Sequence, residues 1–247
     1  MKEAVILAAG RGSRLNGAAD GVPKCLLTVG DRPLIEHNVR AMQAVGIERI
    51  HVVVGYGAEQ VIQTLNGMCH YVFNDKYEST NSLYSLWLAR EKVQGSFLLM
   101  NGDVLAHPEV LRRVASEQHS ALAYDSGSGF DDEHMKVRVH NGYLTAIDKA
   151  LPTGDVCGEN VGVLRFTSRA GEALFDEADR LVRAGHHSMW APKAVNAIAV
   201  RVAIRCVDVA DLPWIEIDYY EDLERARSQV WPSIQGRSLS TSEDAAQ

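Results

Sequence analysis

No stretch of this 247-residue chain approaches the ~20 consecutive apolar residues that a membrane-crossing helix requires. Met1 to Gly10 carries a single lysine and runs straight into an apolar segment, without the charged start and small-residue cleavage site of a secretory leader. Cysteine is sparse: Cys25, Cys69, Cys157 and Cys206 lie far apart with no CxxC spacing. That argues against a zinc ribbon or a redox pair and fits a reducing, cytoplasmic setting. Positive charge is also short, with 25 Lys and Arg against 32 Asp and Glu and a formal net charge of −7. Broad binding to nucleic acid or to an anionic membrane is therefore not expected. Any anion bound by such a chain must be met by a local cluster of donors.

What the chain does have is alternation of short apolar strands with amphipathic helices over its first hundred residues. Ala4–Ala9, Ile50–Val54, Tyr71–Phe73 and Phe97–Met100 read as strands; Pro33–Val45, Ala58–Leu65 and Thr80–Val93 read as helices. Such interleaving predicts βαβ units, with right-handed crossovers placing helices on both faces of a parallel sheet. Beyond Asp103 come a helix at Pro108–Glu117 and exposed antiparallel strands at Ala121–Tyr124, Met135–Val139 and Leu144–Ile147. Asn141-Gly142 between the last two is a two-residue hairpin signal. Then follow a strand at Val161–Phe166, a helix at Ser168–Ala184, a strand at Ala203–Val209, and Trp214–Asp218 leading into a helix at Tyr219–Val230. The expected fold is one Rossmann-like α/β domain over residues 1–230, a three-layer αβα arrangement around a mixed, mostly parallel sheet. The Ser-rich segment 231–247 is expected to be a flexible tail.

The most informative segment is Ala4-Val-Ile-Leu-Ala-Ala-Gly-Arg-Gly-Ser-Arg-Leu15, followed by Val22-Pro-Lys-Cys-Leu-Leu27. A loop at the carboxyl end of the first strand lies where α/β sheets bind ligands. Gly10 and Gly12 let backbone N–H groups approach phosphate oxygens, and Arg11, Arg14 and Lys24 supply the local charge that the acidic whole lacks. The spacing matches neither a GxxxxGK[ST] loop nor a GxGxxG dinucleotide fingerprint. Asn101-Gly102-Asp103 ends one strand and Trp214-Ile-Glu216-Ile-Asp218 another, so two strand-end carboxylates could share a Mg²⁺ on a triphosphate, with Glu216 as a secondary ligand. Taken singly, Asp103 also suits a turn and Asp218 a helix cap. In Glu78-Ser-Thr-Asn-Ser-Leu-Tyr-Ser-Leu-Trp-Leu-Ala-Arg90, Ser79 or Thr80 suits the N-cap, while Asn81 and Ser82 present hydrogen-bonding groups at a helix start.

LAAGxGxRL with PKxLL resembles the sugar-nucleotide-type nucleotidyltransferases, a Rossmann-like superfamily, over residues 2 to about 230. TNSLYSLWLAR, NGD, DxxMKVR and LPWIEID resemble its phosphocholine and phosphonate cytidylyltransferase branch. The resemblance implies that Leu7, Ala8, Ala9, Gly10, Arg11, Gly12, Ser13, Arg14, Lys24, Thr80, Asn81, Ser82, Asn101 and Gly102 hold the nucleotide, CTP. It makes Asp103 and Asp218 the magnesium ligands and Arg14, Lys24, Lys136 and Lys149 the groups around the reacting phosphate. Lys136, Glu159, Trp190 and Lys193 are the candidates for holding a small phosphonate or phosphomonoester acceptor.

Choline-type relatives carry acidic residues after an aromatic where this chain has Met189-Trp-Ala-Pro-Lys193. A lysine there would repel a cationic head, which points to a hydroxy- or carboxy-phosphonate acceptor without an amine. The rival expectations are a phosphocholine or aminoethylphosphonate cytidylyltransferase, a uridylyl- or thymidylyltransferase acting on a sugar 1-phosphate, and a nucleotide-binding regulatory module without catalysis. His186-His187 reads as a surface pair rather than a metal site. Whether the protein is a monomer or a homodimer stays open.

Overall fold

The computed structural model describes residues 1–12, 14–15, 21–129 and 132–244, with side chains up to Arg237. Its elements, in chain order, are β1 (Glu3–Ala8), β2 (Thr28–Val29), β3 (Arg32–Pro33), α1 (Leu34–Ala44), β4 (Arg49–Val54), α2 (Ala58–Leu65), β5 (His70–Phe73), α3 (Ser82–Ala89), β6 (Phe97–Asn101), β7 (Val104–Ala106), α4 (Pro108–Ser116) and β8 (Ser120–Asp125). There follow β9 (Lys136–His140), β10 (Tyr143–Asp148), β11 (Gly158–Phe166), α5 (Ser168–Arg183), α6 (Pro192–Ala199), β12 (Ile204–Asp208), β13 (Trp214–Glu216), α7 (Tyr220–Arg225) and α8 (Trp231–Asp244). Lys24–Leu26 forms a 3-10 turn, and Ala226–Val230 a π-helical turn between α7 and α8.

The central sheet has the order β5-β4-β1-β6-β11-β8-β12-β10-β9. Its first four strands are parallel, with Ile6 opposite both Val52 and Met100. β8 and β12 are also parallel, and the remaining pairings are antiparallel. The sheet is thus mixed, as expected, with a smaller parallel share than the sequence pattern suggests.

Alternation along the strands builds the three layers. Ala4, Ile6 and Ala8 face a core completed by Ile35, Val39 and Met42 of α1, Val61 of α2 and Val110 and Val114 of α4. Val5, Phe97 and Leu99 face the opposite core, with Leu83 and Leu86 of α3, Leu174 and Ala178 of α5, and Ile198 of α6. One residue of register slip would exchange the two sets, so the period of two fixes which helices each strand contacts. Phe97 stacks on Phe175 at 5.3 Å between centroids and lies 5.4 Å from Phe166. Replacing this fully buried ring by alanine removes roughly 3–5 kcal/mol of stability.

Three expectations need correction. β8 is a buried interior strand between β11 and β12, because the chain returns to cover it on both edges. Asn81 caps α3, accepting from the Ser82 N–H at 2.7 Å; Thr80 Oγ1 instead donates to the Lys76 carbonyl at 2.8 Å. The segment from Trp231, read as a tail, is helix α8. Ile234 is buried in a third core with Leu15, Leu27, Leu105, Ile215 and Ile217, and Trp231 packs against it, which gives the helix an apolar face to cover. The Asn141-Gly142 hairpin joins β9 and β10 as expected, both residues having the positive φ of a type I′ turn (51° and 81°).

No helix among the described residues is long and apolar enough to cross a membrane.

Candidate active site

The carboxyl ends of β1 and β6 are adjacent because the two strands pair in parallel. That places the loop after Ala8 beside Asn101 and Asp103. The Gly102 N–H donates to the Leu7 carbonyl at 2.8 Å, and a Cβ at Gly102 would stand 2.8 Å from both that oxygen and the Ala8 Cβ. Gly102 is therefore a close-packing residue that sets the distance between the loop and Asp103, not a ligand contact. Gly12 has φ of 73°, and a Cβ there would stand 2.7 Å from the Lys24 Cβ, so it makes room for that lysine.

Asp218 arrives by a separate route. β13 pairs antiparallel with β7, Glu216 lying opposite Val104, and the Ile217 N–H continues the ladder by donating to the Asp103 carbonyl at 3.0 Å. This short ladder sits on the third core, through Leu105, Ile215 and Ile217. It brings together two aspartates from distant parts of the sequence. Asp218 does not cap α7: the cap is Tyr219, and the Asp222 carboxylate accepts from the Asp218 and Tyr219 N–H groups at 3.1 and 2.9 Å. The Asp218 side chain is left to face the cleft.

Lys24 stands between the two carboxylates. Its Nζ donates to Asp103 Oδ2 at 3.0 Å and to Asp218 Oδ1. Burial disfavours the ammonium charge, but Asp103 and Asp218, joined by Glu216, outweigh it and hold Lys24 above its ordinary pKa. Asp218 is held below its own ordinary value, the Lys24 charge outweighing burial. The Glu216 carboxyl is pushed up to about 8, first by burial and then by the neighbouring Asp103 and Asp218 charges. Among the described residues, Asp103 Oδ1 is buried with no hydrogen-bond partner.

These groups line a cleft of about 310 Å³. Leu7, Ala9, Gly10, Gly12, Arg14 and Lys24 line it together with Asn74, Tyr77, Thr80, Asn81, Ser82 and Ser85, with Asn101, Asp103, Glu216 and Asp218, and with Glu133, Met135, Lys149, Asn160, Trp190 and Pro192. Across the mouth, the Glu133 carboxylate takes Arg14 at 3.3 Å and Lys149 at 3.0 Å, while Lys149 Nζ lies 5.0 Å from the centre of the Trp190 ring. The segment carrying Trp190 is tied to the start of α3. The Asn81 and Leu83 N–H groups donate to the His187 and Met189 carbonyls at 3.0 and 3.1 Å, and the Ala191 N–H donates to Ser82 Oγ at 2.8 Å. Asn81 and Ser82, expected as ligand groups, thus also anchor the segment that carries Trp190.

Several expected residues lie elsewhere. Ala8 and Arg11 do not line the cleft; the Arg11 guanidinium sits 5.3 Å from the centre of the Tyr56 ring. Lys136 is buried in the sheet, and its Nζ donates to the Lys149 carbonyl at 2.9 Å, so it positions Lys149 rather than reaching a ligand. Glu159 is buried beside the cleft, where it accepts from Ser128 Oγ and lies 3.6 Å from His134. Lys193 is ion-paired with Asp148 and does not line the cleft. Ser13 lies outside the described residues. His187 packs on Tyr84, its Nε2 2.9 Å from the Val182 carbonyl. Among the described residues, no three His, Cys, Asp or Glu side chains are grouped as a ready-made metal cage.

The sequence reading missed Asn74, Tyr77, Ser85, Glu133, Met135, Asn160 and Pro192. Asn74 is buried and its amide donates to Thr80 Oγ1 and Ser85 Oγ, each at 3.1 Å, supporting the wall from beneath. An Asn four residues ahead of the Glu78–Arg90 motif is the one local signal that could have found it.

Comparison with known proteins agrees with this geometry. The profile of the MobA-like NTP transferase domain matches residues 4–186. The chain belongs to that family. A CMP-5'-(3-aminopropyl)phosphonate synthase of Streptomyces rubellomurinus is 32% identical over 247 residues, covering 93% of this chain and 39% of that protein. A bifunctional IPC transferase and DIPP synthase of Aquifex aeolicus is 27% identical over 235 residues, covering 93% of this chain and 52% of that protein. The chain thus spans between two fifths and about half of the length of these two NTP transferase relatives. The structure of a CTP:phosphocholine cytidylyltransferase from Streptococcus pneumoniae superposes with a TM-score of 0.78 at 24% identity, covering 92% of this chain and 98% of that one. The likeness establishes the shared fold.

Proposed function

We propose that the chain is a nucleotidyltransferase that moves CMP from CTP to a small phosphonate or phosphomonoester, releasing pyrophosphate. The observation that carries this is the Lys24–Asp103–Asp218 cluster at the middle of a cleft with a glycine-rich loop at one end and Lys149 and Trp190 at the other. The acceptor's phosphonate or phosphate oxygen is already ionised near neutral pH, so the reaction needs no general base. That oxygen attacks the α-phosphorus of CTP in line, an O–P bond forms, and the bond to the β-phosphate oxygen breaks as pyrophosphate leaves. Backbone N–H groups at Gly10 and Gly12 and the Arg14 guanidinium hold the triphosphate, and Lys149 orients the acceptor anion, so catalysis is positioning and charge neutralisation.

Asp103 and Asp218 suit a magnesium ion: two carboxylates, one with a buried unpartnered oxygen, match an ion that takes one or two protein carboxylates and completes its shell with phosphates and water. When bound, magnesium would neutralise the triphosphate and polarise the α-phosphate.

The sequence argument against an amine-bearing acceptor rested on Lys193, whose charge is matched by Asp148 away from the cleft. The Glu133 carboxylate lines the cleft beside Lys149. Aminoalkylphosphonates therefore stand among the acceptors, in keeping with the product named for the Streptomyces relative. A matrix of four NTPs against phosphocholine, aminoethylphosphonate, hydroxymethyl- and carboxy-phosphonates and hexose 1-phosphates, read by pyrophosphate release with and without EDTA, tests the proposal. CTP with a small phosphonate or phosphomonoester, active only without chelator, is the expected outcome. Preference for UTP or dTTP with a hexose 1-phosphate would overturn it.

A further inference from the structure

Lys24 and Asp218 are held from behind by one small core. Leu27 follows Lys24 by three residues and Ile217 directly precedes Asp218, and both are buried in the third core. Among the described residues no ladder joins the two sides, since β2 pairs with β3 and β13 with β7 in separate two-stranded sheets. Side-chain packing must therefore set their separation. The β2–β3 hairpin that follows Lys24 has two residues per strand, and so short a ribbon takes its place from what covers it.

What covers it is the C-terminal segment. The outgoing end of the hairpin runs directly into α1, but the incoming end is tied from Arg227 and Trp231. Arg227 Nε donates to the Thr28 carbonyl at 3.0 Å. One turn later the Trp231 indole sits over Gly30, at the tip of the hairpin, where φ is 67° and a Cβ would collide with the ring. The centre of the indole lies 4.4 Å from that of the His37 ring on α1, and His37 Nε2–H donates to the Val29 carbonyl at 2.8 Å. The same segment reaches the Asp218 side, because Ile234 and Ala226 are buried with Ile215 and Ile217. None of Gly30, His37, Arg227 and Trp231 lines the cleft, so any effect on the reaction must pass through the residues they hold.

Resting on the proposed nucleotidyl transfer, we propose that Trp231 is a positioning residue. Its ring, seated on Gly30 and His37, straps the hairpin to the core behind β13 and so sets the placement of Lys24 against Asp218.

The test compares the full wild-type chain with Trp231→Ala, Trp231→Phe and Arg227→Ala, and with Phe175→Leu as a control in the core under α5. With CTP and 2-aminoethylphosphonate, Trp231→Ala should lower kcat by about 10–100-fold, the cost of a misplacement of ~1 Å near the chemistry, with the KM for CTP nearly unchanged. Trp231→Phe keeps a ring on Gly30 and should recover most of the rate. Arg227 is exposed, so its alanine variant should fold, and the lost tie should lower kcat by about threefold. Phe175→Leu should lower the thermal midpoint and leave kcat unchanged. An unchanged kcat in Trp231→Ala, or a raised KM for CTP with kcat preserved, would overturn the inference. So would a phenylalanine variant as slow as the alanine, or a kcat in Phe175→Leu that falls in step with its midpoint. Should Trp231→Ala not fold, Arg227→Ala decides, and an unchanged kcat there overturns the inference.

If the wild type releases no pyrophosphate, it is the transfer function that fails, and a second readout decides. Acylation of Lys24 by acetic anhydride, measured by peptide mass spectrometry against the exposed Lys2, should be slow in the wild type and in Phe175→Leu. It should be several-fold faster in Trp231→Ala, as the buried ion pair loosens. Equal rates in all three would overturn the inference.

Discussion

The two walls of the cleft come from opposite kinds of sheet. One wall flanks the parallel strands β5-β4-β1-β6, and its lining groups sit in two short segments, Leu7–Arg14 and Asn74–Ser85. The other is gathered around the antiparallel part, and its groups come from four places: Glu133–Met135, Lys149, Asn160 and Trp190–Pro192. In a parallel sheet every strand ends at the same edge, so a site there is written as contiguous loops. In an antiparallel sheet alternate strands run away from that edge, and a wall must be gathered from single residues. On the proposed function, the first wall suits one unchanging ligand and the second residue-by-residue change of substrate.

Variants that separate the walls would sharpen the contrast. The largest loss is expected from Asp103→Ala, which serves both ends: pyrophosphate release should fall by about 10³-fold while circular dichroism stays that of the wild type. Activity near that of the wild type would remove Asp103 from the chemistry. Lys24→Met should cost about 10²-fold in kcat, since it removes the cation between two carboxylates.

A smaller effect, in stability rather than rate, comes from Glu216. Its carboxyl is protonated in the folded chain up to about pH 8 but ionised in the unfolded chain above about 4.5. Unfolding therefore releases a proton between those values, and stability falls as pH rises through them. Glu216→Gln should raise the thermal midpoint at pH 8 in magnesium-free buffer, the gain disappearing by pH 4. An equal gain at both pH values would remove the ionisation as its cause. The smallest effect is expected from Lys193→Ala. Its partner is Asp148, so the acceptor KM should move by no more than about threefold, a typical exposed ion pair being worth under 1 kcal/mol. A change of tenfold or more would return Lys193 to the acceptor wall.

The glycine loop and the strand–helix alternation were legible because each is a local pattern with one physical meaning, whereas the two aspartates, each open to a turn or cap reading alone, were singled out by resemblance and are brought together by the β13–β7 ladder. Lys136, Glu159 and Lys193 were misplaced for a common reason. A charged residue on a strand or helix start reads alike whether it faces a ligand or a partner, and Asp148 and the Lys149 carbonyl are partners that no spacing announces. The helix from Trp231 was missed because its anchor is distant: Trp231 packs at Gly30, where any Cβ would meet the indole within 2.1 Å.

By itself the sequence determined the layers, through strand and helix periodicity, and the glycine-rich loop after β1 that lines the cleft, through Gly10 and Gly12. Only the tertiary structure decided that β13 would pair with β7 and bring Asp218 to Asp103, and that the Asn160 amide oxygen would be buried without a partner among the described residues. Pairing between distant segments depends on which surfaces remain uncovered after the local elements form. That is a property of the assembled chain and not of any stretch of it.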